Sequence, residues 1–225
     1  IGPNGAGKTT LFNCIMGLYT PNTGTVTYRN RNISMLPTHR RVELGIGRTW
    51  QNIGLVRGLT VLENFMVAQH PRIGYGSVGA LFGAPRSFAE ERKLKANAME
   101  VLDFIGLTHL AESHLDGLPY GTLKLIEIGT VLATDPDILM LDEMTAALPA
   151  DLTERVLQVI GGQRGGDRSV IFISHRMIEI AAVCDRATVL REGATVGVVD
   201  VTPGSEERIV ELMLGEIVAD ISAAE

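Results

Sequence analysis

The sequence is short of several features, and each shortage closes off a class of function. Only two cysteines occur, Cys14 and Cys184, far apart and without CxxC spacing. They point to a reducing compartment and away from a cysteine metal site or a disulfide framework. Cationic residues are outnumbered, with a net charge of −6, which argues against the basic stripe of a nucleic-acid binder. No apolar run approaches the roughly 18 residues of a membrane-spanning helix. No signal peptide, internal repeat or low-complexity tract is visible. What remains is a 225-residue chain that is 45% hydrophobic and 20% charged, enough to bury a core as one large domain or one domain with a subdomain.

Strand and helix patterns alternate, as expected of an α/β domain. Residues 8–16 read as a helix that Gly17 ends. Thr25 to Tyr28 alternates like a short strand, and Pro37 to Leu44 reads as a short helix stopped by Gly45. Thr60-Val61-Leu62-Glu63 is a capping box opening a helix to about Gln69. Residues 71–86 are rich in Gly and Pro and read as a loop. Ser87-Phe88-Ala89-Glu90 is a second capping box, expected to open a long helix to Ile105, ended by Gly106. A helix from about Gly121 to Ala133 follows. Ile138–Leu141 and Ser169–Ile173 are short apolar runs, as expected of buried parallel strands. A helix fills the interval to about Gln163, and another runs from Arg176 to Val183. Ala187–Arg191 and Thr195–Val199 flank Glu192-Gly193 as a hairpin, and the last ten residues read as frayed. The mainly helical stretch 60–130 thus interrupts an α/β core of 1–59 and 131–215, with 216–225 as a tail.

The N-terminal octet Gly2-Pro3-Asn4-Gly5-Ala6-Gly7-Lys8-Thr9 fits GxxxxGK[ST] and leads straight into a helix. Its glycines let successive backbone N–H groups curl around a polyphosphate. Lys8 can reach the β- and γ-phosphates, and the Thr9 hydroxyl can ligate Mg²⁺. Thr10 completes the set of expected nucleotide contacts. The competing reading, a chance Gly-rich turn, is disfavoured by the helix directly behind the loop. A phosphate loop also needs a strand before it, so the sequence is expected to lack its first strands, leaving sheet edges unpaired.

A second cluster lies at strand ends. Ile138-Leu139-Met140-Leu141 delivers Asp142 and Glu143 to the carboxyl end of a strand, where α/β sheets bind ligands. Asp142 would hold Mg²⁺ through water, and Glu143 would polarise the attacking water as general base; the plainer alternative is a strand ending in solvated acids. His175 ends the strand Phe172-Ile173-Ser174 and can hydrogen-bond a γ-phosphate and orient the water, or else be an ordinary surface histidine. Gln51, within Arg48-Thr49-Trp50-Gln51-Asn52, could offer its amide oxygen to Mg²⁺ or water. His39, His70, His109 and His114 show no ligand spacing.

In this order, these residues resemble the ABC ATPase family over essentially the whole chain. The phosphate loop matches Walker A, Gln51 the Q-loop, Asp142-Glu143 Walker B with its catalytic glutamate, and His175 the switch histidine. Leu118-Pro119-Tyr120-Gly121-Thr122 sits where the signature LSGGQ belongs. The resemblance implies a P-loop NTPase core with a mainly parallel sheet, a small antiparallel β part and an inserted helical subdomain. It implies ATP and Mg²⁺ as ligands and a head-to-tail dimer, each ATP held between one subunit's phosphate loop and the other's signature. It implies transmembrane permease subunits docked on the helical subdomain and Q-loop, an extracellular or periplasmic solute-binding protein, and a place at the cytoplasmic face of the inner membrane.

The two halves resemble different importers. Leu11 through Ile53, Leu62-Glu63-Asn64-Phe65 and Leu125-Ile126-Glu127-Ile128 look like the branched-chain amino-acid type. Thr145-Ala146-Ala147-Leu148, Arg168 through His175, Asp185 through Arg191, and Ser205 through Gly215 look like the ribose-type sugar importers. The docking groove lies in the first half, which favours amino acids.

Departures from the family pattern are specific. Pro119 replaces the signature serine, losing a hydroxyl and an N–H; Thr122 replaces glutamine, Met144 a proline, and Pro149 the D-loop aspartate. Each lost phosphate donor costs about 1–3 kcal/mol, so a heterodimer with unequal sites is one expectation and a degenerate half with little turnover another. The adenine-stacking aromatic of the family is expected to lie before Ile1. Three rivals fit less well. A soluble ABC ATPase of DNA repair or translation would carry coiled coils or tandem cassettes. A regulatory subunit is opposed by Glu143 and His175. A P-loop kinase would not place an acid pair and histidine so late.

Overall fold

A computed structural model describes residues 1–50, 54–70, 85–146, 148–163 and 167–215, with 85–88 described in backbone only. It divides into two compact units: residues 1–37 with 172 onwards, and residues 38–171.

In the first unit, helix α1 (Lys8–Met16) ends at Gly17, whose φ of 76° lets its N–H turn back onto the Asn13 and Cys14 carbonyls. A two-residue pair, β1 (Thr27–Tyr28) and β2 (Arg31–Asn32), is antiparallel. Later come a helix over Met177–Val183, a hairpin over Arg186–Arg191 and Ala194–Asp200, and a helix over Ser205–Leu214. The hairpin turns on Glu192 and Gly193, both at positive φ (52° and 80°), as such two-residue turns require. Its inner face packs Ala187 and Val189 on Ile1, Ile180 and Ile209, all buried. Each large aliphatic side chain there stabilises the fold by about 1.5–3 kcal/mol.

The second unit holds α2 (Thr38–Glu43), β3 (Ile46–Arg48), α3 (Val61–Ala68), α4 (Pro85–Phe104), a 3₁₀ turn at Thr108–Leu110, α5 (Tyr120–Ala133), β4 (Ile138–Asp142) and α6 (Ala150–Gly161). The chain leaves it along β5 (Ser169–Ile173). In chain order the elements of the first unit that follow are α7 (Met177–Val183), β6 (Arg186–Arg191), β7 (Ala194–Asp200) and α8 (Ser205–Leu214). β3 and β4 are parallel, with Ile46, Gly47 and Arg48 opposite Ile138, Leu139 and Met140, and β5 follows β4 in the sheet. The mixed architecture, a parallel sheet with small antiparallel pieces, is the one expected.

Helix α3 starts as its sequence dictates. The Thr60 hydroxyl accepts from Glu63 N–H, and the Glu63 carboxylate accepts from Thr60 N–H. Phe65 of α3, Leu102 of α4, Ile105 just after it, and Leu125, Ile126 and Ile128 of α5 are fully buried. Gly129 permits this packing: a Cβ there would stand 2.5 Å from Phe65 Cζ and 2.8 Å from Ile105 Cδ1. Buried amides tie the helices together. Gln69 Nε2 donates to the Phe65 and Leu94 carbonyls, and Asn97 Nδ2 donates to Gln69 Oε1 and to the Ala133 carbonyl.

Two expectations need correction. Helix α4 begins at Pro85 rather than at the Ser87 capping box, because proline is tolerated in a first helical turn, where its missing N–H has no partner to lose. β5 is not buried along its length: Ser169 and Ile171 are exposed and only Ile173 is buried. A continuous apolar run does not reveal whether both faces of a strand are covered. The Gly/Pro stretch and the C-terminal tail fall on 71–84 and 216–225, outside the described residues.

Candidate nucleotide site

The phosphate loop is shaped by close backbone approaches. Gly2 lies so near the strand β6 that a Cβ would sit 2.1 Å from the Leu190 carbonyl oxygen. Gly5 and Gly7 have φ of 80° and 90°, and Gly7 is the residue preceding α1. The left-handed turns at these two positions are open to glycine at little cost. The hairpin tip touches the loop through Gly193 N–H, which donates to the Ala6 carbonyl at 3.3 Å. Pro3, Asn4 and Gly5 are exposed, Gly7, Lys8 and Thr9 half-buried, and Thr10 exposed. Lys8 folds its ammonium back onto the loop, donating to the Gly2 and Pro3 carbonyls at 2.8 and 2.9 Å. The charge is thus held on the loop by neutral carbonyl acceptors, which an anionic polyphosphate outcompetes.

His175 is exposed in the turn between β5 and α7, while Ser174 before it and Glu179 after it are buried. Ser174 Oγ donates to buried Glu179 at 2.5 Å and accepts from Arg176 N–H at 3.0 Å, while the Arg176 guanidinium reaches Glu179 at 3.0 Å. Glu179 therefore braces the turn that presents His175.

In the second unit Asp142 and Glu143 stand together at the carboxyl end of β4. The parallel register explains their surroundings. Arg48 faces Met140, and strand side chains alternate with a period of two, so Arg48 and Asp142 share a face. Arg48 Nη2 lies 3.1 Å from Asp142 Oδ2, with the two side chains 3% and 1% exposed. Glu143 is half-buried and has a φ of 49°, a conformation that costs a non-glycine residue about 1–3 kcal/mol and clusters at functional sites.

The signature residues open α5. Pro119 is its N-cap, without a side-chain hydrogen bond, and Tyr120 is exposed. Gly121 is buried where a Cβ would meet Leu152 Cδ1 at 2.2 Å. Pro149 is likewise the uncapped N-cap of α6. Both departures from the family pattern are thus helix starts that lack the usual capping oxygen. Gln51 lies outside the described residues, as do Asn52 and Ile53, but its neighbour Trp50 does not. The Trp50 N–H donates to Glu127 at 2.8 Å, and Lys124 donates to the Trp50 carbonyl at 3.2 Å. Burial, the largest influence, raises the Glu127 acid above its usual value against the opposing Trp50 and Lys124 bonds.

Sequence reasoning missed Arg48, Lys124, Glu127 and Glu179. Lys124 and Glu127 carried a faint signal, a charge pair three residues apart within an otherwise apolar helix. No helix among the described residues is long and apolar enough to cross a membrane.

The ABC transporter family pattern matches residues 1–146. The chain belongs to that family. This ABC ATPase is 37% identical over 194 residues to the high-affinity branched-chain amino acid transport ATP-binding protein LivG of Salmonella typhimurium, covering 86% of this chain and 76% of LivG. It is 36% identical over 195 residues to BraF of Pseudomonas aeruginosa, with the same coverage. The arabinose import ATP-binding protein AraG of Azospirillum brasilense is 33% identical over 229 residues, covering 98% of this chain and 40% of AraG. Both importer types expected from the two halves are therefore among its relatives. Among solved structures, MJ1267, an ATP-binding cassette of an ABC transporter, superposes with a TM-score of 0.78 at 28% identity, over 99% of this chain and 85% of that one. As a member of the family it is an ATP-binding, ATP-hydrolysing subunit whose work is coupled to transport.

Proposed function

We propose that this ABC ATPase powers import of branched-chain amino acids. The carrying observation is the 37% identity to LivG over 86% of the chain, ahead of the 33% to AraG. Sugar import is the second reading, favoured by the alignment to AraG over 98% of this chain.

In the proposed cycle, residues 2–7 wrap the phosphates, with Lys8 leaving its loop carbonyls for the β- and γ-phosphates. Thr9, Asp142 and Gln51 are all hard oxygen donors, the chemistry that Mg²⁺ selects, so the donor set fits that ion. Bound there, Mg²⁺ would neutralise developing charge on the phosphates. Glu143 accepts the proton of the attacking water, and its left-handed backbone suits a side chain held for one task. His175, braced by Glu179, orients that water. Leu118 to Thr122 face the ATP of a second subunit. Pro119 weakens that contact, which favours a heterodimer with unequal sites.

The stretch 60–130 serves as the subdomain that receives the permease. Beside it, a cleft of about 200 Å³ lined by Leu55, Arg57, Leu115 and Leu123 is of a size to take one anchoring side chain of that partner. The subunit then sits peripherally on the cytoplasmic face, with a solute-binding protein across the membrane.

The test is co-purification of the full-length protein with its membrane partner and reconstitution in vesicles. ATPase activity should rise with leucine, isoleucine or valine and not with arabinose or ribose; the opposite pattern selects the sugar reading. Glu143→Gln should retain ATP binding and abolish turnover, and undiminished hydrolysis would remove Glu143 from its role.

A further inference from the structure

We propose that Lys124 and Glu127 are positioning residues for hydrolysis, fixing the backbone at Trp50 and, through its ring, the Arg48 guanidinium on Asp142. The inference rests on the role proposed above for Asp142.

Two buried charges of α5 converge on one residue. Glu127 Oε1 accepts the Trp50 N–H at 2.8 Å, and Lys124 Nζ donates to the Trp50 carbonyl at 3.2 Å and to Glu127 Oε2 at 3.1 Å. The N–H belongs to the peptide joining residues 49 and 50, and the carbonyl to the peptide joining 50 and 51. Holding both fixes φ and ψ of Trp50 together, and with them the point from which its ring projects. The Lys124 and Glu127 side chains are 5% and 3% exposed. A buried ion pair contributes little net stability compared with an apolar pair of similar volume. What these charges add that Leu or Met could not is a directional grip on two peptide groups.

The grip extends in both directions. Toward the strand ends, the Trp50 ring lies 5.3 Å from the Arg48 guanidinium, and Arg48 pairs with Asp142. Toward the start of α5, the Lys124 ammonium lies 5.8 Å from the ring of Tyr120, a signature residue. A continuous set of contacts thus runs Tyr120, Lys124, Glu127, Trp50, Arg48, Asp142, all within one unit. It joins the residues facing one ATP to an acid serving the other.

Trp50 is the single tryptophan of the 225 residues, so its emission reads the clamp directly. The experiment compares the full-length protein with Glu127→Gln, Lys124→Met and Lys124→Arg, using Trp50→Phe to subtract any other emission. Glu127→Gln and Lys124→Met should lower kcat about tenfold or more, since misplacement by an ångström can cost a hundredfold. KM and Kd for Mg-ATP should change less than about twofold, the pattern of an interaction that matters after binding. Trp50 emission should shift and acrylamide quenching should rise, and Lys124→Arg should restore both emission and turnover relative to Lys124→Met. Unchanged kcat and emission in folded Glu127→Gln overturns the proposal, and so does a loss of ATP affinity that accounts for all of the lost activity. If Glu127→Gln fails to fold by circular dichroism, the two Lys124 variants decide: equal kcat at equal melting temperature overturns it. Asp142→Asn serves as the reference variant. If it too leaves turnover intact, the underlying site reading falls; if only Asp142→Asn reduces it, the clamp alone is refuted.

Discussion

Replacing Arg48 with Met should destabilise the cassette strongly, and the reason is electrostatic. The Arg48 and Asp142 side chains are 3% and 1% exposed and 3.1 Å apart. Removing one partner of such a pair leaves an uncompensated buried charge and costs about 3–5 kcal/mol, whereas replacing both with apolar residues of similar volume is close to neutral. For a chain of this length each kcal/mol moves the melting temperature by about 2–4 °C, so Arg48→Met should lower it by roughly 6–20 °C. Arg48→Met with Asp142→Leu should recover most of that loss while remaining inactive. Differential scanning calorimetry of the wild type, both single variants and the double variant completes the cycle. A single variant that melts within about 2 °C of wild type, or a double variant less stable than either single one, would refute the account of Arg48 as the countercharge of Asp142.

Four further outcomes follow. Lys8→Ala should abolish measurable Mg-ATP affinity by isothermal calorimetry without lowering the melting temperature, because its hydrogen bonds among the described residues go to the loop's own Gly2 and Pro3 carbonyls. Gly129→Ala should cost about 1–3 kcal/mol by urea denaturation, the usual range for overpacking, since its new methyl would meet Phe65 and Ile105. Thr60→Ala should cost about 1 kcal/mol through loss of the α3 cap. At the same cap, the hydrogen bonds with Thr60, its backbone N–H first, hold the Glu63 carboxyl below the usual glutamate value of about 4.5. The stabilisation is therefore present above pH 4.5 and is lost as pH falls through the lower folded value. The stability difference between wild type and Glu63→Gln should vanish in acid; one that persists there would remove Glu63 from the cap.

What could be read from the sequence was what neighbours in sequence decide. The phosphate loop, the Thr60 cap, the Gly17 helix end and the Glu192-Gly193 hairpin each depend on turn chemistry within a few residues. Asp142 and Glu143 were legible because an apolar strand ends on them. The contacts around Trp50 were not, since they join residues 74 and 77 positions apart. Arg48 was quoted within a motif, but its partner depends on the parallel register of β3 and β4, which no local pattern encodes. β5 was misjudged for a related reason, because the covering of a strand face is a tertiary property.

The left-handed backbone at Glu143 constrains how this cassette can be silenced cleanly. A β-branched replacement would clash with that geometry and reshape the loop that follows, confusing lost chemistry with lost shape. Asparagine tolerates the left-handed region better than most residues, so Glu143→Asn should keep the turn while removing the acid, giving a quiet stand-in for capturing the ATP-loaded assembly with its membrane partner.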